Sequence, residues 1–446
     1  MSSVNRRYFL GASAAALAAP LLRAEGKKVA ANDKVRVALV GCGGMGRANL
    51  SDFMKVPEFE IVGLCDPDPK QIEGAMNDVK KANRPTEQVK TESDFRRVVD
   101  RKDLEAVIVG TPDHWHAYVL IAACAAGKDV YCEKPLCHNI VEGRAMVEAA
   151  RRNKRVVQIG TQQRSGQHFK DAVKYVQDGK LGDVTLCRTW ITNHNKPDFI
   201  GSPADSDPPP GVDYNLWLGP APERPFNKNR FHHHFRWFWD YGSGLCNDWG
   251  VHLNDIILWG MKVKAPLAVY AVGGKFQMQD NSDTPDTLDV HYTYPGFTHI
   301  YTVRQSVYHY GPEFVDRARH GMEFHGTKGI LHLHRGGWMV TADGEREKPE
   351  RHGGSEQHFA HVQNFLHCLH HRDEKTASDI EDMHRATTTC HLANISYKIG
   401  RRVYWDAEQE RCYRGYDATA KKLTTEDSQA NAYLLREPRK PWSLTI

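Results

Sequence analysis

A lysine stands between a glutamate and a proline in Glu133-Lys134-Pro135, closing an apolar run. At the carboxyl end of a parallel strand, where ligand crevices open, such an ammonium can hydrogen-bond a reacting hydroxyl and stabilise negative charge developing on its oxygen. A second group lies in Asp248-Trp249-Gly250-Val251-His252. On one helix, residues four apart share a face, and an imidazole held by a carboxylate is a general base near neutral pH. Asp255 follows and is divided between a site role and the helix surface. The third group is Gly41-x-Gly43-x-x-Gly46, which carries Gly44 and Met45 inside it. Its first glycine permits a tight turn, its second lets backbone approach a pyrophosphate, and its third allows close helix–strand packing. Phosphates would then sit at a helix N-terminus. Asp66 ends the next apolar run, about 20 residues on, where a carboxylate accepts from a ribose diol and repels a 2′-phosphate. The expected cofactor is therefore NAD.

These groups need a scaffold. Short apolar runs at 34–40, 60–66, 106–111, 129–135 and 156–161 alternate with stretches of helical spacing. That alternation predicts a parallel sheet with right-handed crossovers. Beyond Gly182 the texture changes. Residue 184–191 is strand-like, 193–219 is a loop rich in proline, aspartate and glycine, and later segments alternate with period two. The fold expected is α/β: an N-terminal doubly wound domain, then an α+β domain on a large, mostly antiparallel open sheet. Boundaries are set at 1–31 for a signal and linker, 32–161 for the NAD-binding domain, 162–400 for the substrate and oligomerisation domain, and 401–446 for a tail. Helix-like segments 357–371 and 379–399 fall late in the second domain and can pack back on the first.

Thr111-Pro112-Asp113-x-x-His116, Glu133-Lys134-Pro135 and Asp248-x-x-x-His252, together with the glycine loop, resemble the Gfo/Idh/MocA family (glucose–fructose oxidoreductase, inositol dehydrogenase, rhizopine catabolism). Asp113 departs from the family's usual asparagine, which puts its cofactor contact in question. The resemblance implies that Thr111, Pro112, His116, Glu133 and Lys134 border the cofactor beside Gly41, Gly43, Gly44, Met45, Gly46 and Asp66. It implies that His252 takes a hydroxyl proton while hydride leaves the same carbon for nicotinamide, with Lys134 and Asp248 completing the catalytic group. It also implies dimers or tetramers paired through the open sheet. In Gly160-Thr161-Gln162-Gln163-Arg164, Arg164 is a candidate substrate contact.

Phe231-His232-His233-His234-Phe235-Arg236-Trp237-Phe238-Trp239-Asp240-Tyr241 leads directly into the Asp248 segment. In an extended chain His232 and His234 share a face. A third ligand at fixed spacing is missing, so no metal is expected. The mixture of flat rings with Arg236, Asp240 and Tyr241 suits the wall of a sugar pocket, and some of the aromatics belong to the core.

The net charge of +4 carries no run long enough for a nucleic-acid footprint. Arg6-Arg7-Tyr8-Phe9-Leu10 and the alanine-rich run to Leu22 resemble a twin-arginine export signal, too short for a membrane anchor, and place the protein in the periplasm. The ten cysteines include no CxxC pair and are expected as buried free thiols. The leading expectation is an oxidoreductase acting on a secondary hydroxyl of a sugar, glycoside or polyol with tightly bound NAD. The alternative is a redox-neutral glycosidase or lyase working through a transient keto-sugar. A non-catalytic binding protein is disfavoured by intact Lys134, Asp248 and His252.

Overall fold

The valine-rich runs become strands covered on both faces. The structure, a computed structural model, describes residues 34–306, 319–344 and 349–444. The export-signal segment at 1–31 lies outside the described residues. Strands β1 (Val35–Val40), β2 (Phe59–Cys65), β3 (Lys90–Glu92), β4 (Ala106–Val109), β5 (Asp129–Cys132) and β6 (Val157–Ile159) form a parallel sheet in the order β3-β2-β1-β4-β5-β6. Val37, Ala38, Leu39, Val107 and Val109 are fully buried, because helices cover both faces of a parallel sheet. Strand order reverses between β1 and β4, and a crevice opens at their carboxyl ends. Gly41 and Thr111 both lie at that edge. β3 has no apolar signature: its Lys90, Thr91 and Glu92 lie at the sheet edge with two of three side chains exposed.

Among the described residues the second sheet has eleven strands. These are β7 (Val184–Thr192), β8 (Ala268–Gly274), β9 (Thr287–Tyr294), β10 (Phe297–Arg304), β11 (His320–Gly326), β12 (Gly329–His334), β13 (Gly337–Ala342), β14 (Glu350–Gly353), β15 (Val403–Asp406), β16 (Arg411–Asp417) and β17 (Lys422–Glu426). Their order is β14-β13-β12-β11-β7-β10-β9-β8-β15-β16-β17. Among the described residues only β7 and β10 of this sheet pair in parallel. Along β9, Leu288, Val290, Tyr292 and Tyr294 point into the core while the residues between them are more exposed, the alternation of a sheet covered on one side. Helices Gln167–Gln177, Gly250–Gly260 and Ile380–Ile399 cover that side.

The late helices do pack back on the first domain. Phe365, on helix His358–His370, meets Phe53, Phe59 and Tyr131 at ring distances of 5.9–6.4 Å. Burying one such ring contributes about 1.5–3 kcal/mol. The segment after Arg401 is more than a tail. Residues 403–426 extend the large sheet by β15, which buries Val403 and Trp405, then by the more polar β16, and end it with the edge strand β17, most of whose side chains are exposed. The chain then crosses back over its own first domain. Val141 N donates to Leu434 O (3.0 Å), Arg439 Nε to Gly219 O (2.9 Å), and Trp442 packs edge-on against Trp115 (4.7 Å). All ten cysteines are free and buried.

Candidate active site

Gly41 adopts φ +89°, and a Cβ there would stand 2.5 Å from Thr111 N. A Cβ on Gly46 would come within 1.9 Å of Gly41 O. Both positions therefore require glycine. Gly43 and Gly44 face open space; Gly43 caps and Gly44 opens helix Gly44–Met54, whose first amides carry no side-chain cap. Uncapped amides at a helix N-terminus are the donors a pyrophosphate takes. Asp66 receives Cys42 N on Oδ2 (2.8 Å) and Asp68 N on Oδ1 (2.9 Å). Burial pushes its carboxyl up to about 7, against those two amides, which pull it down. It retains lone pairs for two more donors, which a ribose diol supplies. The loop, the uncapped helix and Asp66 thus fit NAD.

From this loop a cavity of about 390 Å³ runs past Thr111, Pro112 and Asp113 to Glu133, Lys134, Arg236 and Asp248. Phe95, Trp115, Leu216 and Trp217 form apolar walls. Met45 also lines it, whereas His116 lies behind the wall. The His116 ring reaches Pro135 O (2.8 Å) through Nδ1 and Thr111 O (3.0 Å) through Nε2, so it ties two cavity loops together. Glu133 does similar work: Oε1 accepts from Asn49 (2.9 Å) and Oε2 from Lys134 N (3.1 Å).

Lys134 Nζ donates to Asp248 Oδ1 (2.7 Å) and to Asp248 O (2.9 Å). Arg236 approaches the same carboxylate at 3.5 Å. Burial alone would raise the Asp248 carboxyl, but these two cations hold it at about 2. The sequence reading paired Asp248 with His252, and the structure corrects this. Helix Gly244–Asp248 ends before helix Gly250–Gly260 begins, with Trp249 between them, and Asp248 turns toward Lys134. His252 is buried and does not itself line the cavity, and its Nδ1 has no hydrogen-bond partner among the described residues. Burial first, then Arg335 and Lys134, push its pKa far below the usual range, so the ring is neutral.

Asp113 opens helix Asp113–Ala125 inside the cavity. Burial, reinforced by Asp248, raises its carboxyl to about 8. At neutral pH it carries a proton and can donate as the amide of an asparagine does, which accounts physically for the departure from the family pattern.

Three expected sugar contacts are placed elsewhere. The Arg164 fork is filled by Asp255 (2.6–3.0 Å) and Asp382 (3.3 Å), so both Arg164 and Asp255 are spent in a buried ion pair. Asp240 accepts from Arg224 (2.8 Å). Tyr241 is fully buried against Trp217 (5.1 Å) and His114 (5.3 Å). Only Arg236 of the stretch's polar candidates reaches the cavity, together with His232, His233 and Phe235. The histidines occupy a 3₁₀ turn, His232–Trp237, rather than an extended strand. They diverge: His232 Nε2 meets Asp68 Oδ2 (2.8 Å), Arg236 donates to the His233 carbonyl, and His234 lies against Phe199. Among the described residues no three His, Cys, Asp or Glu side chains gather as a metal site. The His232–Asp68 contact, with Asp213 N on Pro67 O (3.0 Å), holds this part of the second domain over the crevice beside Asp66.

Sequence reasoning missed Phe95, Trp115 and Trp217. The available signal was Leu216-Trp217, an apolar pair inside a polar loop.

Family models match both halves. One described as "Oxidoreductase family, NAD-binding Rossmann fold" matches residues 35–161, and one described as "Oxidoreductase family, C-terminal alpha/beta domain" matches 202–302, together just over half of the chain. The chain is 31% identical over 169 residues to levoglucosan dehydrogenase of Pseudarthrobacter phenanthrenivorans, 36% of this chain and 43% of that protein. It is 36% identical over 137 residues to a glycosyl hydrolase family 109 protein of Stenotrophomonas maltophilia, 30% of each. These matches span less than half of the curated relatives' length. The fold is that of the aldose-aldose oxidoreductase from Caulobacter crescentus (TM-score 0.64, 19% identity, 83% of this chain and 99% of that one). It is also that of levoglucosan dehydrogenase solved with NADH and levoglucosan (TM-score 0.63, 18% identity, 83% and 99%).

Proposed function

We propose, for a chain that belongs to the Gfo/Idh/MocA oxidoreductase family and carries its NAD-binding Rossmann domain, that it oxidises a secondary hydroxyl of a sugar or polyol. The observation that carries this reading is one continuous cavity. It has the Asp66 and glycine-loop site at one end and the Lys134–Asp248 pair at the other. Bound NAD supplies the hydride acceptor. Lys134 offers its ammonium to the carbinol oxygen, where positive charge stabilises a developing alkoxide. His252, neutral and with an open Nδ1, receives the hydroxyl proton. Its low proton affinity makes it a weak base until substrate oxygen brings negative charge beside it. Trp115, Trp217 and Phe95 exclude water from the cofactor end.

The test is purification of the full chain, spectroscopy for bound nicotinamide, and incubation with a panel of sugars, glycosides and polyols. A keto-sugar forming with stoichiometric NADH supports the reading. Undiminished turnover in Lys134→Ala and His252→Ala would sink these assignments.

A second reading, a redox-neutral glycosidase, draws on the glycosyl hydrolase family 109 relatives and on protonated Asp113 near Lys134. Transient oxidation of a ring carbon acidifies the neighbouring C–H. The aglycone then leaves by elimination, water adds, and hydride returns to the oxidised carbon. Tyr241 is too deeply buried to assist, whereas Asp113 and His233 line the cavity. Aglycone release without net NADH distinguishes this reading. The Arg6-Arg7 pattern supports periplasmic export, which cell fractionation checks. Exposed Tyr270 and Val272 on β8 support pairing of subunits through the large sheet, which light scattering checks.

A further inference from the structure

A group of basic side chains gathers around Trp249. Arg335 Cζ stands over the Trp249 ring at 4.7 Å, His320 lies beside it at 4.4 Å between centroids, and His252 lies at 5.8 Å. Trp249 directly follows Asp248, whose carbonyl receives Lys134 Nζ. Arg335 belongs to the turn between β12 and β13, next to exposed Gly336, so the group opens toward the surface.

Its charge is unbalanced. Asp248 is shared by Lys134 and Arg236, and Glu133 is occupied by Asn49 and the Lys134 amide. Among the described residues no carboxylate lies within ion-pair distance of Arg335. Arg335 Nε, His320 Nε2 and His252 Nδ1 are buried atoms without hydrogen-bond partners among the described residues. His252 is only 4% exposed. Leaving buried polar atoms unpaired is costly, more so for a charged donor such as the Arg335 guanidinium. A neutral sugar would leave the guanidinium without a counter-charge. An oxyanion would satisfy it by charge-assisted, bidentate bonding.

We propose that the substrate is an anionic sugar, bearing a carboxylate or a phosphate, whose oxyanion is met by Arg335 and His320 beside Trp249 while its carbinol lies at Lys134 and His252. The inference rests on the sugar-oxidoreductase reading for the carbinol, and the anion site is testable apart from it.

The experiment is isothermal titration of the NAD-loaded full chain with D-glucuronate, D-glucose 6-phosphate and D-glucose, with NADH formation followed in parallel. One of the anions should bind about tenfold or more tightly than glucose, and Arg335→Gln should remove that preference while Arg335→Lys retains part of it. Added salt should weaken the anion's binding selectively. Preference for glucuronate identifies a sugar acid, and preference for the phosphate identifies a sugar phosphate. Equal affinity for all three probes overturns the proposal. So does an anion preference that Arg335→Gln leaves intact. If Arg335→Gln fails to fold, the Arg335→Lys titration and the salt dependence decide. Arg335-dependent anion binding without nicotinamide reduction would refute the oxidoreductase reading and leave the anion site standing.

Discussion

Replacing Asp248 by asparagine tests which partner that carboxylate serves. Its oxygen accepts Lys134 Nζ at 2.7 Å, and both side chains are about 15% exposed. The carboxyl titrates at about 2 in the folded protein against 3.8 for the free group. The folded value is depressed, so the stabilisation is complete above pH 4 and is lost as pH falls through about 2. Linkage puts it at roughly 2–3 kcal/mol at neutral pH. Asp248→Asn also leaves Lys134 and Arg236 without their anion, a disruption that typically costs about 3–5 kcal/mol in buried pairs. Urea denaturation followed by tryptophan fluorescence at pH 7 should show a loss in that range. Two double-mutant cycles sharpen the test. Asp248→Asn with Lys134→Met should give a coupling of about 2 kcal/mol, and Asp248→Asn with His252→Ala less than about 0.5 kcal/mol. A larger coupling in the second cycle than in the first would refute the assignment of Asp248 to Lys134 and restore the carboxylate–imidazole pair.

Further outcomes follow from the same geometry. Asp66 is held at about 7 in the free protein, and ribose hydroxyls prefer its ionised form. NAD affinity measured by fluorescence quenching should therefore fall about tenfold from pH 8 to pH 6, and Asp66→Asn should flatten that profile. Gly46→Ala places a methyl 1.9 Å from Gly41 O, so the loop must shift, and NAD binding should weaken at least about tenfold by the same titration. Arg164→Ala strands the Asp255 carboxylate in the interior, and the urea midpoint should report a loss of about 3–5 kcal/mol. Sugar KM should move little in that variant if Arg164 is structural, and a selective rise in KM at unchanged stability would return Arg164 to the pocket.

The two-domain plan was legible because its signals are local. A strand buried on both faces must be apolar throughout, as in Val35–Val40, and a loop that brings Gly41 O within 1.9 Å of a Gly46 Cβ admits no side chain. Such constraints act within a few residues of the chain and leave a readable pattern. β3 and β17, each at the edge of its sheet, left little trace, because a strand open to solvent can be polar. The candidate site divides along the same line. The residue types and the cofactor loop could be read directly, down to Asp66 and Lys134. Which charge meets which could not. Asp248 pairs with Lys134, 114 positions away, rather than with His252, four away, because the chain breaks helix at Trp249 and a buried ammonium demands an anion. Arg164 meets Asp255, Tyr241 enters the core, and Arg335 comes from a distant hairpin to stand beside Trp249. Local sequence determined which elements form and where the dinucleotide loop lies. Tertiary packing decided which ionisable groups are left facing the cavity, since desolvation and counter-charge depend on neighbours brought from elsewhere in the chain.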